Sequence, residues 1–286
     1  MRSIREMIVE RALLLSTIIS GSITVIIFGF MFYMAIPILK GGKIFRILTG
    51  SWSPGDGSYG ILPMSVSTLA ISFLSVVISF PVSIGCSSFI AVLGPRQLKR
   101  FLKKVVQVMT GIPTVIYGFV GIFLLVPMVR ELAGGGSGMS VITAALMLAV
   151  LISPTMILFF IDSFERVPAS YLDAADGLGA SKVQKLIYVV LPNAGNGIVI
   201  GLILAFGRAL GDTLVALMIA GNSTQIPGSI FDSARALTAH IALVIAADYE
   251  SLEFKSIFAC GMVLYLFATA IVISARYFAF GGRRTH

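Results

Sequence analysis

Residues 165–192 read ERVPASYLDAADGLGASKVQKLIYVVLP and stand between two long apolar runs. Pro168 is followed by Ser170 and, three residues on, Asp173, a capping-box spacing that predicts a short helix. Gly177 and Gly179 are expected to break that helix. Ser181 with Gln184 supplies a second start, and the pattern then runs directly into the next apolar run at Pro192. The expected unit is helix, glycine turn, helix. Tyr171, Leu172, Ala174 and Ala175 give it a small apolar surface outside the membrane, and such a surface implies a protein partner.

The flanking runs set the fold class. The chain has 286 residues, 57% of them hydrophobic and 12% charged, with a mean hydropathy of +0.98. Soluble domains carry about 25% charged residues, so the solvent of this chain is lipid. Six segments reach the ~20 residues a helix needs to cross the hydrocarbon core, at about 12–39, 65–93, 105–129, 141–164, 194–220 and 255–280. The reading is an all-α membrane protein, a single domain over 1–286 with six transmembrane helices. Pro81, Pro113 and Pro154 fall within spans, where neighbouring helices satisfy the carbonyls that proline frees. Arg2, Arg5 and Arg11 before the first run imitate a secretory signal, but the run is too long and lacks a small-residue cleavage site, so an uncleaved span is expected. Patch 241–247 is too short to cross and reads as an interfacial or re-entrant piece; Trp52 and Tyr59 read as interface anchors.

Charge sets the orientation. With the N-terminus inside, inner segments hold 14 of the 21 Lys and Arg residues, among them Arg96, Lys99, Arg100, Lys103, Lys104, Arg166, Lys182, Lys185, Arg276, Arg283 and Arg284. The outer loops hold Lys40, Lys43, Arg46, Arg130, Arg235 and Lys255, and Arg208 lies within a span. The positive-inside rule places both termini in the cytoplasm of a multi-pass inner-membrane protein. The same clustering in short loops explains the net charge of +8 without nucleic acid. Cys86 and Cys260 sit in apolar runs, and His240 and His286 are too few for a histidine-based centre, so no metal site is expected. No G-x4-G-K-[ST], HExxH or GxSxG occurs.

The 165–192 segment resembles the cytoplasmic motif of ABC importer permeases, E-A-A-x3-G-x9-I-x-L-P. Asp173, Ala174 and Ala175, then Gly179, then Val189, Leu191 and Pro192 match every offset, with Asp for Glu and Val for Ile. The resemblance implies the type I importer permease fold and makes 165–192 the coupling loop that sits in a cleft of an ATPase subunit. Tyr171, Leu172, Asp173, Ala174, Ala175 and Gly179 are then the coupling residues. It implies a second permease subunit, two ATPase subunits that bind ATP and magnesium, no cofactor on this chain, and an external binding protein. Further strings resemble the phosphate-specific branch, closer to the first of its two paired permeases: WSP at 52–54, YGILP at 59–63, TL at 68–69, GIPTVIYG at 111–118 and GRALGDT at 207–213. Together they extend over about 50–280 and imply phosphate as substrate.

Span five carries the candidate path. An isolated Arg at mid-span costs ~2.5–3.5 kcal/mol to insert, so Arg208 is a functional candidate by default. Its planar fork suits an oxyanion. Asp212, one turn on, is placed to hold it, and Thr213 adjoins; the plainer reading is a buried ion pair. Gly197 and Gly201, then Gly207 and Gly211, form two GxxxG pairs that permit close helix approach, to a second permease or within the chain.

The reading is a permease subunit of an ATP-driven phosphate importer, itself not an enzyme. One alternative is a permease for molybdate, tungstate or sulfate. The other is a membrane enzyme using Arg208 and Asp212, which lacks a nucleophile or metal set. Orientation is tested with Ser181→Cys in a background without Cys86 and Cys260. Impermeant maleimide is expected to label it only after the cells are opened; labelling of intact cells would invert the topology.

Overall fold

The computed structural model describes residues 4–39 and 44–281. Lys40, Lys43, Arg283, Arg284, His286 and both chain ends, on which part of the orientation count rests, lie outside the described residues. The first span is α1, Ile4–Leu39, followed by a short helix α2, Ile44–Thr49. A two-residue hairpin comes next, β1 Trp52–Ser53 pairing antiparallel with β2 Ser58–Tyr59. Helix α3, Leu62–Ser88, continues through a π-turn, Phe89–Leu93. The amphipathic α4 is Arg96–Met109. Helices α5, Thr114–Val120, and α6, Val126–Leu132, are joined by a π-turn into one span, and α7 is Val141–Glu165. Segment 165–192 holds α8, Ala169–Gly177, and α9, Lys182–Lys185, then a π-turn and α10, Leu191–Asn193. Helices α11, Gly195–Leu210, α12, Leu214–Ile219, α13, Leu237–Val244, and α14, Leu252–Gly281, complete the chain.

Among the described residues, five helices are long and apolar enough to cross a membrane, and a sixth span arises if the pair Lys182–Asn193 and Gly195–Leu210, bent by 69°, is one crossing. Span three differs from the 105–129 expected. The apolar run is divided at Pro113, which lacks an N–H and bars its predecessor from helical ψ, so α4 ends at Met109 and the crossing starts at Thr114. Span five also differs from a continuous 194–220: its helix stops at Leu210 and resumes at Leu214.

Helix α7 is the centre of the bundle, with 67% of its most apolar window buried. Its closest neighbour is α3, whose Ser72, Ser75, Ser79, Ser83 and Ser87 recur at helical spacing and are all buried. Small side chains on this stripe let the backbones approach, and Ser79 Oγ meets Ser153 Oγ of α7 at 3.0 Å. On the opposite side, α11 packs on α7 through glycine: a Cβ on Gly201 would stand 2.9 Å from Phe160 Cε1, and one on Gly197 would strike Ser163. This first glycine pair therefore serves contact within the chain. Gly207 faces Ile271 of α14. Helix α1 lies apart and meets the bundle mainly at α14, with Phe28 against Tyr265 at 4.6 Å.

Segment 221–254 folds back into the bundle. Its carbonyls at Ile230 and Asp232 accept the Ile142 and Val141 N–H groups of the α7 start, which have no partner within the helix. Helix α13 is pinned to α3, where Leu237 N–H donates to Thr68 Oγ1 at 2.8 Å. Trp52 is not an interface anchor. It is buried, with its ring 4.2 Å from His240 and 5.6 Å from Tyr59, because the hairpin tucks it against α13. Gly60 is required there, since a Cβ on it would strike the Gly50 backbone.

Gly201→Val tests the α11–α7 contact. The enlarged side chain has to displace the buried Phe160 ring, so thermal unfolding of the purified chain should show a loss of about 1–3 kcal/mol. Gly21→Ala, where nothing lies within 4 Å, should leave stability unchanged.

Candidate functional site

Segment 165–192 forms by local chemistry. Helix α8 begins behind Pro168, and its first turn has no side-chain cap, so the box expected between Ser170 and Asp173 does not form. The chain emerges from α7 so close to α8 that Pro168 alone sets the start. The helix ends at Gly177, and the chain turns at Gly179, whose φ of 76° is left-handed and suits glycine. Ala180 N–H then returns to Ala175 O at 3.0 Å, which closes the turn. At the second start both halves of the capping box are made: Ser181 N–H donates to Gln184 Oε1 at 2.8 Å and Gln184 N–H to Ser181 Oγ at 3.3 Å. Lys185 reaches back across the turn to Asp176 at 2.6 Å.

Helical periodicity divides the expected apolar surface. Leu172 and Ala175 face the bundle, where Leu172 packs against the main core and Ala175 is buried. Tyr171, Asp173, Ala174 and Gly179 face outward. The outward apolar strip is Tyr171, 52% exposed, Ala174 and Leu178, 89% exposed. Leu178 escaped the sequence reading because it lies between two glycines, outside the helix as then drawn. Its spacing of four from Ala174 and seven from Tyr171 is the signal in the sequence that marks it.

The break in span five organises the second set of residues. Arg208 is exposed on this chain although it lies mid-span, and its Nη1 donates to Thr155 Oγ1 of α7 at 2.7 Å. It makes no ion pair with Asp212. The i, i+4 geometry needs a helix through 212, and α11 stops at Leu210. Asp212 is buried and turned to the next helix, with its Oδ2 accepting Val215 N–H at 2.9 Å in the first turn of α12. Its carbonyl accepts Thr238 Oγ1 of α13 at 2.7 Å. Thr213 is the residue before α12, half-buried, with its carbonyl accepting Leu217 N–H at 2.9 Å. Gly211 is exposed beside Arg208 and has only backbone of its own turn near its Cβ position. The structure thus brings Arg208 to Thr155 and Asp212 to Thr238, two partners 53 and 26 residues away that no local pattern announces. Among the described residues no group of three or more His, Cys, Asp or Glu could hold a metal ion.

Residues 83–281 match the model of the binding-protein-dependent transport system inner membrane component. The chain belongs to that family. YqgH of Bacillus subtilis, described as a probable ABC transporter permease protein, is 31% identical over 84% of this chain and 79% of its own. The phosphate transport system permease protein PstC of Pasteurella multocida is 31% identical over 79% of this chain and 76% of its own. Among solved structures, an alginate ABC importer covers 97% of this chain and 98% of its own with a TM-score of 0.63 at 14% identity. The MetNI methionine transporter covers 74% and 93% with a TM-score of 0.56 at 18% identity. The structural likeness concerns the fold, which is that of ABC importer permeases. The chain is thus a membrane component of a binding-protein-dependent transport system, as the resemblance to ABC importer permeases implies.

In this inner membrane component Asp212 serves the break as a hydrogen-bond acceptor. Asp212→Ala removes the acceptor of the Val215 N–H in the first turn of α12 and should lower stability by about 1 kcal/mol in thermal unfolding. Asp212→Asn keeps an acceptor oxygen and should stay within a few tenths of the parent.

Proposed function

We propose that this chain is the permease subunit of a phosphate importer, paired with a second permease and driven by two separate ATPase subunits. The observation that carries the substrate path is Arg208. A mid-span guanidinium exposed on the surface of its own bundle would face lipid at a cost of ~2.5–3.5 kcal/mol, unless a partner subunit and an aqueous path cover it. Thr155 takes one donor and orients the fork, leaving the remaining N–H groups for a passing oxyanion. Because Asp212 does not neutralise Arg208 directly, the positive charge stays available on that surface. The names of the relatives, several of them phosphate permeases, support phosphate over molybdate, tungstate or sulfate.

In this reading, phosphate arrives from a binding protein docked on the outer loops. The segment 165–192 seats its Tyr171, Ala174 and Leu178 strip in an ATPase subunit. ATP and magnesium bind there, and this chain holds no cofactor. The rigid turn at Gly179 passes ATPase closure to α10 and α11 through the π-turn, and the path changes sides. Both termini and the coupling segment are cytoplasmic.

Two variants separate path from coupling when the assembled importer is reconstituted with radiolabelled phosphate. Arg208→Gln should lose uptake by at least about a hundredfold while binding-protein-stimulated ATP hydrolysis persists, because no buried partner is orphaned. Gly179→Val forces a β-branched residue into left-handed φ and should lose both uptake and stimulation. Near-parental uptake by Arg208→Gln would remove the path role, and uptake of sulfate or molybdate in place of phosphate would reassign the substrate.

A further inference from the structure

Helix α4, RQLKRFLKKVVQVM, has five cations and no acidic residue. Its three faces have different occupants. One face packs on the bundle, where Leu102 and Val106 meet Ile90, Ile157 and Ile161. Lys99 Nζ donates to the Ala91 and Val92 carbonyls at 2.8 and 3.1 Å, and Lys103 pairs with Glu165 at 2.8 Å. Those two lysines are structural. A second strip, Arg96, Arg100 and Lys104, recurs every four residues, is exposed, and makes no ion pair among the described residues. A third strip, Leu98, Phe101, Val105 and Val108, is apolar and exposed, with Phe101 at 62% and Val108 at 72%.

We propose that α4 is a lipid-reading helix, with its apolar strip sunk in the leaflet at the coupling-segment end and Arg96, Arg100 and Lys104 gripping acidic phospholipid headgroups. Its tethering argues for this occupant. The α3 span ends at Leu93 and the next span starts at Thr114, so both ends of α4 are held where two spans meet the same face of the membrane. The helix cannot lift from that surface. At 100° per residue the cation strip borders the apolar strip, which sets the charges level with the headgroups when the apolar side chains are buried. Each basic residue near an acidic surface contributes about 1 kcal/mol, so three unpaired cations give a selection that a zwitterionic lipid cannot match. The inference concerns lipid alone and is independent of the substrate.

The test uses the full chain in nanodiscs with Phe101→Trp, its emission corrected for Trp52 measured in the parent. Tail-brominated phosphatidylglycerol should quench the new tryptophan at a roughly tenfold lower mole fraction than tail-brominated phosphatidylcholine. Adding Arg96→Gln, Arg100→Gln and Lys104→Gln together should erase that preference and leave quenching by phosphatidylcholine in place. Equal quenching by both lipids before the cations are removed would overturn headgroup selection. Absence of quenching would show that the strip is not in the bilayer. Loss of quenching when the ATPase subunits are added would assign the strip to a protein partner instead.

Discussion

Inside a bilayer every backbone N–H and C=O must find a partner within the protein, and the interruption of span five at 211–213 has to meet that condition. Three contacts meet it. Asp212 Oδ2 receives an amide of the α12 first turn, the Asp212 carbonyl receives the Thr238 hydroxyl, and the Thr213 carbonyl receives the Leu217 amide. The broken helix is thereby pinned on both sides of the interruption. The break has a consequence for Arg208, which sits in the last turn before it. Freed from Asp212, its guanidinium leans to Thr155 and remains on the outer surface of the chain's own bundle.

The same condition explains segment 221–254. A loop at membrane depth is tolerated where it is covered by protein. Here 221–254 supplies the carbonyls that the α7 N-terminus needs and places α13 beside the break. It is thus a structural part of the bundle, and Trp52, His240 and Leu237 form its small core with α3 and α14. Burying Trp52 in this cluster takes it away from the lipid headgroups where an isolated aromatic would sit.

At the other end of the bundle the chain presents side chains outward on purpose-built supports. Helix α8 is anchored by Leu172 and Ala175, the left-handed Gly179 turns it, and the capping box at Ser181 restarts the helix without slack. The Lys185–Asp176 contact adds little energy on an exposed surface, but it spans the turn and restrains the angle between α8 and α9. A segment so restrained can transmit a push, whereas a flexible linker would absorb it. Helix α4 lies at the same end, joined to the end of α7 by Lys103 and Glu165.

What the sequence by itself determined was whatever depends on length, composition and short offsets. Apolar runs of about 20 residues, a positive φ at Gly179, the box between Ser181 and Gln184, and the spacing from Asp173 to Pro192 are all local, and each was legible in the chain. Only tertiary structure decided which side chains meet across the bundle. Arg208 finds Thr155 and not Asp212, Gly201 faces Phe160 of its own chain, and Trp52 lies under α13. The true edge of span three also waited on the fold, since a hydrophobic run shows how much apolar chain is present but not where Pro113 ends one helix and starts the next. Residues far apart in the chain pair by shape and by the need to satisfy buried polar groups, and neither leaves a periodic trace in one sequence.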